Sequence, residues 1–319
     1  STQFKGVAEA EYTPIQKFIR KAENAMTALG CYEIATFSFI SPKYFDKINL
    51  DQNSKLRNAE TIMNPLGEDT SVMRTTTLPS MLEILSKNYN NRNENAKFFE
   101  IGKEYIPTGA DTLPNEPQRL TLGMYGANTD FYDIKGIVDT LLDALGIHDT
   151  EYLRIANSIS FDEKTAFHPG RSAVILKDGV EIGVLGEIHP DTAANYGFGV
   201  KVYTAKINIT EIIALAETEI SYKPLPKYPA TTRDLSLICD DDIQAADIEK
   251  TIKKAAGKLL EKVTLFDVYK GKQIEDGKKS ISYSLSMRSH DGTLTDEQAD
   301  SVMKKVLKAL KEIGADLRL

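Results

Sequence analysis

Thr231-Thr-Arg-Asp-Leu-Ser-Leu-Ile-Cys239, Leu265-Phe-Asp-Val-Tyr-Lys270 and Gly277-Lys-Lys-Ser280 are the stretches whose reading decides the fold. Each alternates apolar and polar residues with the period of a strand. Leu235, Leu237 and Cys239 point one way, and Asp234, Ser236 and Ile238 the other. Phe266 and Val268 oppose Asp267 and Tyr269, and Ile281, Tyr283, Leu285 and Met287 oppose Ser280, Ser282, Ser284, Ser286 and Arg288. The apolar sets are expected under helices. The opposite face then carries Ser236, Asp267, Tyr269, a column of serines and Arg288.

Around these strands the spacing predicts β-α-β-β-α-β. A helix is expected over 243–257, ended by Gly257, and strands over 233–239, 262–270 and 278–288. Thr295-Asp-Glu-Gln298 is a capping box. It opens a helix striped by Ala299, Val302, Met303, Val306, Leu310 and Ile313, and Ala315 to Leu319 is a last short strand. That order is the ferredoxin-like arrangement, in which two helices cover one sheet face and leave the other free. A tyrosine on such a face offers a ring for a base to stack on, and a carboxylate or hydroxyl can read a base edge. A simply solvated polar face is the competing reading, because antiparallel sheets commonly expose one side.

Upstream, Pro224, Pro226 and Pro229 mark a linker, since three prolines so close cannot continue a helix or a ladder. The expected division is 1–216, a linker at 217–225, and 226–319. In the first part, Thr13-Pro14 caps a helix striped by Ile15, Phe18, Ile19, Ala22, Met26 and Leu29. Strands are expected over 32–40, 97–106, 119–125, 171–176, 180–188 and 201–209, the hairpin turn being Lys177-Asp-Gly179. Helices are expected after Pro42, around Leu78 to Tyr89, and after Asp130. The whole chain is therefore read as α+β, the first domain built on a largely antiparallel sheet.

A chain of 319 residues with 41% hydrophobic and 27% charged content matches a soluble protein of about two domains. No apolar run approaches the ~18 residues of a membrane span. Ser1-Thr-Gln-Phe-Lys5 has no signal-peptide pattern and no initiating Met, so a piece of a longer chain is expected. A net charge of −7 argues against nonspecific nucleic-acid binding, although the C-terminal part is near neutral and rich in lysine. Cys31 and Cys239 are expected as buried free thiols in a reducing cytoplasm. No Cys/His spacing suits a metal. Phe167-His-Pro-Gly-Arg-Ser172 and Gly186-Glu-Ile-His-Pro190 are read as turn structure, and Gly123, Gly197 and Gly199 form no phosphate-binding loop.

Taken with their flanks, the strands at 231–239, 265–270 and 277–280 resemble the anticodon-binding domain that ends the β subunit of bacterial phenylalanyl-tRNA synthetase. The upstream part resembles the class II synthetase-like domain of the same subunit. The resemblance implies anticodon contacts at Ser236, Asp267, Tyr269 and Ser280. Asn95-Ala-Lys-Phe-Phe-Glu-Ile-Gly-Lys-Glu-Tyr105 is similar to the start of the second class II signature motif, which supplies arginines to ATP and the amino acid. No Arg adjoins Phe98-Phe-Glu100. Tyr196 to Ile207, where the third motif would lie, has no Arg either. The chain is thus expected to have no catalytic residue of its own and to support a catalytic α subunit. Asn64 to Thr76 also matches the family, with Arg74 expected either at a subunit contact or on the surface. The resemblance implies tRNA(Phe) and the α subunit as partners, an (αβ)₂ heterotetramer, and ATP and Mg²⁺ as needs of the holoenzyme, with none held here. Neither a membrane nor DNA is an expected partner. Editing and metal-binding modules of the family are not in this sequence. Two other functions stay open at this point. One is a stand-alone RNA-binding or protein-interaction protein built from the same folds; the other is a class II ligase with unrecognised arginines.

Overall fold

The computed structural model describes residues 11–318, apart from 110, 111, 218, 220, 221, 223 and 290. The linker residues 218, 220, 221 and 223 and the expected strand end Leu319 lie outside the described residues. The chain divides into two compact units, 1–220 and 221–319.

In the first unit the elements run α1 (Pro14–Ala28), β1 (Tyr32–Glu33), β2 (Phe39–Ile40), α2 (Lys43–Lys47), β3 (Val72–Met73), α3 (Leu78–Asn90), β4 (Ala96–Lys103) and β5 (Gln118–Tyr125). There follow α4 (Phe131–Ala144), β6 (Glu151–Arg154), β7 (Phe167–Lys177), β8 (Val180–Ile188), α5 (Pro190–Asn195), β9 (Val202–Asn208) and α6 (Ile209–Leu215). Local chemistry sets the helix starts. Thr13 with Gln16 and Asp130 with Asp133 form reciprocal capping boxes that satisfy first-turn N–H groups. Seven strands form one sheet in the order β1-β4-β5-β9-β8-β7-β6. Only the β1–β4 pair is parallel.

Both sheet faces are buried. Phe18, Ala22 and Met26 of α1, Ile134, Val138 and Leu141 of α4, and Ile209 and Ile212 of α6 pack on Leu120, Leu122, Ile182, Ala205 and Ile207. On the other face Phe45, Met81, Leu82, Leu85 and Ala193 pack on Tyr125, Val174, Val184 and Val202. The expected strand over 32–40 is interrupted. Only its ends pair, with β4 and with β3. Between them the Thr36 N–H and hydroxyl are taken by the Glu100 carboxylate, so that backbone group is not offered to a ladder.

The second unit contains β10 (Thr231–Asp240), α7 (Ala245–Ala256), β11 (Leu260–Tyr269), β12 (Lys278–Met287), α8 (Asp296–Glu312) and β13 (Asp316–Leu317). The sheet order is β11-β12-β10-β13, antiparallel throughout, as the ferredoxin-like arrangement requires. Leu235, Leu237, Cys239, Ile281, Tyr283, Leu285 and Met287 form the core with Ile248 and Ile252 of α7 and Ala299, Val302, Val306 and Leu310 of α8. Thr295 and Gln298 make the expected capping box.

One core assignment is corrected. Phe266 and Val268 are 56% and 51% exposed. β11 lies at the sheet edge, and only its first residues, Leu260 and Val263, reach the core. A register shift between Leu265 and Asp267 leaves Phe266 without a partner on β12, as in a β-bulge. Val268 is opposite Ile281, on the helix side, yet remains uncovered.

Candidate nucleic-acid interface

The register of the small sheet sets the candidate residues in rows. Ser236 faces Ser282 across β10 and β12, and Ser282 faces Asp267 across β12 and β11. One row along, Ile238 faces Ser280, and Ser280 faces Tyr269. All these residues alternate with the core set, so Ser236, Asp267, Tyr269 and Ser280 share the face away from α7 and α8. The bulge matters here. Were Phe266 paired in regular register with Ser282, Asp267 and Tyr269 would fall on the helix side; the bulge at Phe266 puts them on the open face.

The four residues differ in access. Asp267 and Tyr269 are exposed, and Ser236 is half-buried. The Ser236 and Ser282 hydroxyls are 2.9 Å apart, joined by a hydrogen bond. Ser280 is only 1% exposed; it lies between Ile238 and Tyr269, and Arg318 Nη1 donates to its Oγ at 3.2 Å. Arg318 also follows β13 alongside β10, and its N–H donates to the Ser236 carbonyl at 2.9 Å. The Tyr269 ring leans along its own strand. A Cβ placed on Gly271 would come within 2.3 Å of the Tyr269 hydroxyl. Arg288, expected on this face, is engaged by the Glu261 carboxylate and the Tyr228 carbonyl. Neither Arg318 nor Gly271 carries a local sequence signal for this face. A face assignment for Arg318 needs the β13–β10 pairing, which alternation within one strand does not supply.

The larger unit holds a different cluster. Glu100, Thr121, Lys206 and Val184 form one row across β4, β5, β9 and β8. Arg119 stands two residues before Thr121 on the same face. Lys206 Nζ lies 3.1 Å from Glu104 and also contacts Glu163, and Arg119 Nε donates to Glu104 at 2.9 Å. Thr77 N–H donates to Glu104, and the Thr76 hydroxyl to Glu163. Burial pushes the Glu104 carboxyl up, but Lys206, Arg119 and the Thr77 N–H outweigh it and hold it below its ordinary value. Burial pushes Lys206 down, and Glu104 and Glu163 outweigh that and hold it above its ordinary value. These groups line a cavity of about 150 Å³ with Leu56, Phe161 and Ile182.

Arg74 is corrected to an interior position. It is 1% exposed, 3.2 Å from the Glu100 carboxylate, and bonds the Thr36 hydroxyl at 2.7 Å. It does not reach the surface of this chain. His168 and His189 stand 6.5 Å apart, ring to ring. Each Nδ1 accepts a backbone N–H two residues on, from Gly170 and Asp191. Cys31 and Cys239 are buried free thiols, and burial pushes both up, away from reactivity. Among the described residues, no group of three or more His, Cys, Asp or Glu is placed to hold a metal ion. No helix among them is long and apolar enough to cross a membrane.

Comparisons with known proteins agree with this architecture. Residues 2–209 match the family model "Phenylalanyl tRNA synthetase beta chain CLM domain", and residues 226–318 match "Ferredoxin-fold anticodon binding domain". The phenylalanine–tRNA ligase beta subunit of Clostridium acetobutylicum is 45% identical over 306 residues, covering 95% of this chain and 38% of the relative. That of Clostridium tetani is 42% identical over 321 residues, covering 100% of this chain and 40% of the relative. The crystal structure of pyrrolysyl-tRNA synthetase from Desulfitobacterium hafniense superposes with a TM-score of 0.50 at 15% identity, covering 65% of this chain and 74% of that one. That likeness concerns the fold alone.

A synthetase-like sheet domain followed by a ferredoxin-fold module defines the class of protein. The chain belongs to the phenylalanine–tRNA ligase β-subunit family. It spans about two fifths of the length of the curated relatives it matches.

Proposed function

We propose that this chain is the part of a phenylalanine–tRNA ligase β subunit that reads the anticodon of tRNA(Phe) and supports assembly with a catalytic α subunit. The observation that carries the reading is the common face of Ser236, Asp267 and Tyr269, with Ser280 beneath Arg318. A ring flanked by a carboxylate and small hydroxyls suits stacking plus base-edge contacts to single-stranded RNA. The holoenzyme, an (αβ)₂ heterotetramer working in the cytoplasm, uses ATP and Mg²⁺ to esterify phenylalanine to its tRNA. This chain contributes no step of that chemistry. Its synthetase-like cavity of about 150 Å³ is below the roughly 300–1,000 Å³ of ligand pockets. Arg119 and Lys206 are already paired with Glu104 and Glu163, so neither cation is uncommitted toward a triphosphate.

Exposed apolar side chains support the assembly role. Phe37 is 73% exposed and stacks on Phe39 at 5.2 Å, and Tyr32, Met63, Leu66 and Leu113 are similarly uncovered. Two measurements test the proposal. Mixed with the α subunit, the chain is expected to elute as a complex in size-exclusion chromatography. Alone, it is expected to give no phenylalanine-dependent ATP–pyrophosphate exchange. No complex, or exchange above background, overturns the corresponding half.

A further inference from the structure

Arg318 closes a row of complementary groups on the sheet face. Its N–H bonds the Ser236 carbonyl, Ser236 faces Ser282, and Ser282 faces Asp267. The Arg318 backbone thus stands at one end of the row, the Asp267 carboxylate at the other, and two bonded hydroxyls between. The Arg318 side chain reaches one row along, to Ser280, the residue paired with Tyr269. Its contact there is a neutral hydroxyl, which orients the guanidinium without neutralising it. Ser280 itself is 1% exposed, so its hydroxyl acts on Arg318 rather than on a ligand directly.

We propose that Arg318 is a specificity-determining contact of this face, its planar fork pairing with acceptor atoms on the edge of one anticodon base, and that Ser280 acts through it as a positioning residue. The proposal rests on the anticodon reading above. RNA laid on a sheet of this kind turns its unstacked bases toward the sheet. A guanidinium beside the stacking ring therefore meets a base edge, for which a rigid fork with paired donors is suited and an ammonium is not. Asp267, at the far end of the row, accepts from the complementary kind of edge.

The test uses the whole 319-residue chain and fluorescent anticodon stem-loops of the phenylalanine tRNA, unaltered and with each anticodon base replaced, at several salt concentrations. Arg318→Lys keeps the charge and loses the fork. It is expected to weaken the unaltered loop roughly 5- to 100-fold. Discrimination should collapse at one anticodon position, with the salt dependence unchanged. Ser280→Ala is expected to give a smaller loss at that same position. Equal weakening of all loops by Arg318→Gln, with the salt slope reduced by about one, would mean a phosphate contact and overturn the proposal. So would undiminished discrimination in both Arg318 variants, or an Arg318→Lys chain whose melting temperature falls as far as its affinity. A Ser280→Ala effect at a different base would overturn the positioning role. Tyr269→Ala and Asp267→Asn are measured alongside. If they weaken binding and the Arg318 variants do not, this proposal alone fails; if none does, the anticodon reading fails with it.

Discussion

The Lys206 ammonium lies 3.1 Å from the Glu104 carboxylate inside the larger unit, and the same nitrogen contacts Glu163. The two partners are 102 positions apart in the chain, brought together because β9 pairs with β5 and β5 with β4. Lys206→Met would leave two buried carboxylates without their shared cation. The expected cost is about 3–5 kcal/mol in the larger unit's stability. Urea denaturation of the variant and the parent measures it, and a loss below about 1 kcal/mol would show that water or relaxation replaces the ion pair.

The same groups predict a pH dependence. Glu104 titrates below its ordinary 4.5, so its contribution is present above that pH and is lost as pH falls through the lowered value. Lys206 titrates above its ordinary 10.5, so its contribution is complete below that pH and is lost as pH rises through the raised value. Thermal melts of the larger unit across pH should therefore decline in strong acid and again in strong base. In Lys206→Met the acid decline should begin at higher pH, since the main cation holding Glu104 down is gone. An unchanged acid limb would refute this.

The edge strand gives a contrasting pair. Phe266 is exposed in the bulge, so Phe266→Ser is expected to change stability by less than about 0.5 kcal/mol. Ile281 is 1% exposed under the helices, and Ile281→Ala is expected to cost about 2–5 kcal/mol. Chemical denaturation of the 221–319 unit within the whole chain distinguishes them. A large loss from Phe266→Ser would restore Phe266 to the core.

Gly271 is expected to set the pose of Tyr269. The added methyl of Gly271→Ala would meet the end of the Tyr269 side chain, which can swing away, so the fold should persist while the ring moves. Binding of the anticodon stem-loop should weaken in this variant and not weaken further when Tyr269→Ala is added, because the two changes act on one contact. Strict additivity would separate Gly271 from the ring.

Much of the small unit was legible because its signals are local. Alternation, the Thr295 cap, Gly314 and the three linker prolines each act within a few residues. The open face was legible for the same reason. Phe266 falls outside the expected core because the alternation of β11 changes phase at Leu265-Phe266, where the bulge lies, and only the pairing with β12 settles which residues face the helices. Arg318 was missed because its place depends on β13 joining β10. The Glu104–Lys206–Glu163–Arg119 cluster comes from distant strands, and no neighbouring residues hint at it. The segments around Phe98-Phe-Glu100 and Tyr196 to Ile207 do not by themselves disclose that Arg119 and Lys206 converge from β5 and β9, paired with Glu104 and Glu163.

The most direct test of the anticodon face is aminoacylation kinetics of the enzyme reconstituted with its α subunit, using normal and anticodon-substituted tRNA(Phe). Tyr269→Ala is expected to lower kcat/KM for normal tRNA by roughly 1–3 kcal/mol and to affect the substituted tRNA less. Asp267→Asn is expected to relax discrimination at one anticodon position more than it weakens general affinity. Equal effects of Tyr269→Ala on both tRNAs, or loss of the domain's cooperative melt, would contradict the account and make Tyr269 a structural residue.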